Sequence, residues 1–104
     1  MQELLAEAQR LPAAAVGRAR SIAWVKPPDH LADLVPRVRT QHGGALRQLH
    51  AAIDDRLAGQ SVGGERGALY AASELALIER VWRRDLAAGD RNALRACWEH
   101  LLSA

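Results

Sequence analysis

Residues Glu65–Ala88 read ERGALYAASELALIERVWRRDLAA, and this run decides the fold. Leu69, Tyr70, Leu75, Leu77, Ile78, Val81, Trp82 and Leu86 recur at helical spacing but cover far more than one stripe of a 3.6-residue helix. A helix that is apolar around most of its girth belongs at the centre of a bundle. Ala68, Ala72 and Ala76 add a small-residue ridge at spacing four, against which a second helix can pack closely.

Working outward, Ala88-Gly89-Asp90 reads as a stop and restart, with glycine ending one helix and aspartate capping the next. Leu94, Cys97, Trp98, Leu101 and Leu102 then share one face of a final helix, with Arg95 and Glu99 paired at i,i+4 elsewhere on it. The last forty residues therefore read as an antiparallel αα-hairpin. Upstream, Leu46, Leu49, Ile53 and Leu57 mark another amphipathic helix, for which Gly59 is the stop. Gln2–Gln9 is a short helix, and a second is expected from Pro12 to about Val25, ended by Lys26-Pro27-Pro28. Asp29 and Asp33 are capping candidates, and Pro36 either kinks a helix or starts one.

Composition agrees with helices. The 104-residue, 11.3 kDa chain holds 21 Ala and 15 Leu, no Phe, and only Trp24, Tyr70, Trp82 and Trp98 as aromatics, which disfavours an all-β or large α/β enzyme fold. The expectation is an all-α fold, a small single-domain helical bundle of four or five helices spanning 1–104, with residues 1–28 as a less tightly packed N-terminal arm. A lone cysteine, Cys97, excludes an internal disulfide framework, and the sequence shows neither a signal-peptide pattern nor an apolar run of membrane length. The expected location is the cytoplasm, with no membrane partner.

The formal charge is only +2, yet its distribution is uneven and 13 of the 14 cations are arginine. Residues 10–47 carry net +5, residues 48–79 net −3, and residues 80–95 net +3. Arginine forks phosphate oxygens bidentately, so a cluster on one face would bind nucleic acid in a salt-dependent way. Arg80, Arg83, Arg84, Arg91, Asn92 and Arg95, straddling the hairpin, are the candidate residues for such a face. The resemblance of that hairpin to a DNA-reading helix-turn-helix is loose, because its first helix is about twice too long.

Signals for catalysis are weak. Gly59 and Gly64 have the spacing of a phosphate-cradling loop, but Glu65-Arg66 stand where lysine and a hydroxyl residue are needed. His42 with His50, and Cys97 with His100, sit at one-turn or two-turn spacings, yet no zinc motif accompanies them. Ser73 among alanines reads as a packing residue, and His50 with Asp54 lacks a visible pocket. No enzyme activity, cofactor or metal is expected. Trp24, beside the proline break and flanked by Ile22 and Val25, is either a core plug or an exposed anchor for a partner, since tryptophan often dominates interfaces. The leading expectation is a non-catalytic protein-binding adaptor, assembly factor or inhibitor acting on a larger bacterial complex. The alternative is a nucleic-acid-associated module of a ribonucleoprotein or replication complex using DNA or RNA contacts along the arginine face; a homo-oligomer is compatible with either.

Overall fold

Glu65–Val81 forms the longest helix, α5, and every residue from Ala72 to Glu79 on it is buried. Burial of a continuous run removes both stripes of an ordinary amphipathic helix from water, which is possible only if other helices surround it. The computed structural model, which describes residues 2–22 and 25–103, shows this surround. Around α5 stand α1 (Gln2–Gln9), α2 (Ala15–Arg20), α3 (Leu34–Gln41), α4 (Gly43–Leu57) and α6 (Ala88–Leu102), and α5 touches all of them. Of the described residues 75% are helical, and none lies in a strand.

The most extensive contact joins α5 to α6, so the expected terminal hairpin is present. The other neighbours pair around the rim: α1 lies on α4, α2 on α6, and α3 on α4. Leu69, Leu77 and Ile78 of α5 meet Leu49 and Ile53 of α4 and Leu94, Trp98 and Leu101 of α6 in one apolar cluster. The segment read as a looser arm contributes Leu4, Ala8, Leu11, Ala15, Val16 and Ala19 to that same cluster. Arg56 of α4 fastens it further, donating from Nε and Nη2 to the Leu11 carbonyl at 3.1 and 2.7 Å. Arg18 does the same between helices, donating to the Leu101 carbonyl at 3.1 Å, where a cation suits the negative end of α6.

Six α-helices stand among the described residues, more than the four or five expected, because the ambiguous segment around Pro36 forms a helix of its own, α3, before α4. Pro36 occupies the third position of α3, where its missing N–H would have no helical partner, so it starts a helix instead of kinking one. His42 alone separates α3 from α4; its N–H bonds Val38 O while its carbonyl already receives Leu46 N–H. Gly59 ends α4 as expected, with φ +81°, a left-handed conformation that a Cβ would strain.

Three boundaries differ from the sequence reading. α2 covers only Ala15–Arg20, because the Ser21 hydroxyl donates to Arg18 O at 2.7 Å and the next two amides close 3₁₀-type turns. α5 stops at Val81, seven residues before the expected Ala88, at the point where the Trp82 ring turns onto α3. There Arg37 stands 5.2 Å over the ring and His42 meets it edge-on at 6.0 Å, a tertiary contact that outweighs local propensity. The chain then makes a 3₁₀ turn at Arg83–Asp85, extends at Leu86 and Ala87, and re-enters helix at Ala88. Gly89 and Asp90 consequently lie in the first turn of α6 instead of marking the break. Asp90 suits that place, since a carboxylate near a helix N-terminus meets the positive end of the dipole, and it pairs with His30 Nε2 at 3.0 Å.

The central position of α5 gives a direct test. Leu77 is 1% exposed. Leu77→Asp sets an unpaired carboxylate in the core at a cost of several kcal/mol, against a total stability of about 5–15 kcal/mol. Circular dichroism at 222 nm during thermal melting should show the variant unfolded or melting far below wild type; equal melting would contradict the architecture.

Candidate protein-binding groove and the arginine face

Where α2 ends, the backbone passes along the first turn of α5 and leaves an open groove of about 300 Å³. Ala19, Ile22 and Ala68 give it apolar walls, while Gly64 and Glu65 close one end. Arg20 and Glu65 bridge it, the guanidinium Nε donating to the carboxylate at 2.6 Å. The other Glu65 oxygen accepts the Gly63 N–H at 2.7 Å. Arg20 first, then the backbone amides of Glu65 and Gly63, hold the Glu65 carboxyl at about 2, well below the ordinary carboxylate range.

Of the three residues expected at a protein-binding site, Ile22 lines this groove and is half-buried. Val25 is also half-buried and leans on the apolar cluster beneath. Trp24, the proposed anchor, lies outside the described residues.

Of the five arginines expected to form a nucleic-acid face, three are paired with acids of the same chain, and one of these is largely buried. Arg80 is only 12% exposed in its side chain and donates to Glu7 Oε2 at 2.8 Å, tying α5 to α1. Arg83 grips Glu79 bidentately at 2.9 and 3.0 Å, and Arg80 stands 3.6 Å from the same carboxylate. Glu79 itself is 0% exposed, so this is a buried carboxylate held between two guanidinium groups. The i,i+4 spacing of Glu79 and Arg83 is visible in the sequence, but the burial of the acid is not. Arg95 pairs with Glu99 at 2.9 Å on the surface. Arg84 and Asn92 are exposed and Arg91 is partly exposed; no described acid lies within ion-pair distance of either arginine.

The earlier basic zone is partly engaged as well. Arg39 grips Glu74 of α5 at 2.9 and 3.0 Å, which raises the arginine's already high pKa, and Arg37 covers Trp82. Through its contact with the Trp82 ring, Arg37 of the earlier basic zone meets the start of the later one, since Arg83 and Arg84 follow Trp82 directly in the chain.

Beside Glu74, the His50 and Asp54 singled out in the sequence are joined by Tyr70, which sequence spacing did not place with them. His50 stacks on Tyr70 at 4.1 Å, and the Tyr70 hydroxyl donates to Asp54. Burial, then the Asp54 carboxylate, raises the Tyr70 pKa, while burial lowers that of His50, whose Nε2 has no hydrogen-bond partner among the described residues. His42 packs on Trp82, separate from this cluster, and no group of three or more His, Cys, Asp or Glu among the described residues is placed to hold a metal. No described helix is long and apolar enough to cross a membrane.

Two measurements check these assignments. Arg83→Gln leaves Glu79 with Arg80 as its remaining cation, and urea unfolding should show a lower midpoint than wild type; an unchanged midpoint would mean that the pair contributes nothing. At Glu65, whose carboxyl is depressed, the ionised form stabilises the fold above the unfolded-state value of about 4.3, and this support is lost as pH falls through about 2. NMR titration should place its midpoint near 2 in wild type and move it up towards 4 in Arg20→Gln.

No family model, curated protein or solved structure matches the chain in comparisons with each, so its function has to be read from its own geometry.

Proposed function

We propose that the chain is a non-catalytic protein-binding module, an adaptor, assembly factor or inhibitor that acts by occupying a surface of a larger complex. The observation that carries this reading is the groove between α2 and α5, with Ala19, Ile22 and Ala68 as apolar walls and the Arg20–Glu65 pair across its rim. An apolar recess rimmed by a fixed, hydrogen-bonded charge pair accepts one hydrophobic side chain of a partner and excludes water around it.

The engagement of Arg80, Arg83 and Arg95 with acids supports the same reading against the nucleic-acid alternative. A guanidinium already bidentate to a carboxylate must give up that pair before it can neutralise a phosphate. Arg84 and Arg91 remain as candidate phosphate contacts, too few for tight backbone binding at physiological salt.

The test uses the tagged full chain as bait in extract from its source cell, with Ile22→Asp alongside. Wild type should retain a stoichiometric protein that Ile22→Asp loses while keeping its helical circular dichroism. In parallel, fluorescence anisotropy with DNA and RNA should show no binding tighter than micromolar at physiological salt. Tight binding that falls with a log–log salt slope of roughly −0.7 to −0.9 per phosphate, and is lost in the Arg84→Gln, Arg91→Gln double variant, would replace the proposal with the nucleic-acid reading.

A further inference from the structure

The outward face of α4 is built as if to meet another helix. Gly44, Arg47, Gln48, Ala51, Asp55 and Ala58 are all exposed, and at 100° per residue they fall on one side of the helix, opposite Leu49 and Ile53. Beside this face, α1 and α4 enclose an open groove of about 450 Å³, into which Leu5 and Gln9 look from α1 and Gln48, Ala51 and Asp55 from α4. Small residues recur at seven-residue spacing, Gly44, Ala51 and the C-cap Ala58; the Arg47 guanidinium lies over Gly44, so a facing helix can approach most closely at Ala51.

Charge selects the occupant. Arg47 lies one turn before Ala51 and Asp55 one turn after it, each about 6 Å along the axis. Neither has an oppositely charged partner within ion-pair distance among the described residues. An antiparallel α4 of a second copy, related by a two-fold axis at Ala51, brings Arg47 to the level of the partner's Asp55 and Asp55 to the level of the partner's Arg47. The same operation sets Gly44 against the partner's Ala58. An isologous interface requires this self-complementarity, in which residue i meets j and j meets i.

We infer that the chain forms a two-fold homodimer through antiparallel packing of α4 against α4 of a second copy, centred on Ala51, with reciprocal Arg47–Asp55 pairs. This surface is distinct from the α2–α5 groove, so dimerisation and partner binding can fail independently.

Sedimentation velocity of the full chain over a dilution series is the test. Wild type should run as a dimer at the upper concentrations, and Ala51→Arg should run as a monomer with unchanged helical circular dichroism, because Ala51 is exposed. Arg47→Asp and Asp55→Arg each place like charges opposite one another twice, and each should raise the dissociation constant at least about tenfold. Mixing these two variants restores opposite charges at both contacts, so the mixture should dimerise again, as should the Arg47→Asp, Asp55→Arg double variant. A wild type that stays monomeric at every concentration, a dimer indifferent to Ala51→Arg, or single-charge variants whose mixture does not associate would each overturn the inference.

Discussion

Because α5 is shut away from water on every side over Ala72–Glu79, no polar group there can rely on solvent, and the rest of the molecule is arranged around that constraint. Three of those residues carry polar side chains: Ser73, Glu74 and Glu79. Ser73 is settled within its own helix by donating to the Tyr70 carbonyl at 2.8 Å. The two carboxylates need cations, and each draws an arginine with bidentate geometry: Arg39 from α3 and Arg83 from the turn after α5. These links also fix the register of α3 and of the α5–α6 turn against the central helix. Apolar packing alone would set that register less sharply.

The arginines therefore act chiefly as internal struts. Arg18 and Arg56 donate to carbonyls at Leu101 and Leu11, Arg80 ties α5 to α1, and Arg20 ties α2 to the start of α5. A planar guanidinium with five donors can hold two surfaces together at once, and its charge persists at any pH the fold survives. Of the thirteen arginines, six are paired with acids of the same chain.

What the sequence made legible follows from how local each signal is. Gln2–Gln9, the leucine ladder of α4, its glycine stop and the central role of Glu65 onward are written in spacing, capping and propensity, and the structure keeps them. The break at Trp82 was hidden, since tryptophan and arginine are acceptable helix residues and the cause is a ring seated on α3. Burial of Glu74 and Glu79 was hidden for the same reason: an acid looks solvated until the helices that cover it are placed. Of the groove, Ile22 was singled out, but Ala19, Ala68 and the Arg20–Glu65 bridge arise from elements 45 residues apart in sequence.

The place of α5 along the chain also governs the order in which the fold can assemble. Helices α1 to α4 precede it, and each leans on it. A growing chain that has not yet made residue 81 lacks the surface against which Leu4, Val38 and Leu49 are buried, although α1 and α4 can already meet. During synthesis these helices emerge as short amphipathic pieces with their apolar faces uncovered, marginal on their own. Closure waits for the middle of the molecule, made late, and until then the first sixty residues are the stretch with most reason to meet a chaperone.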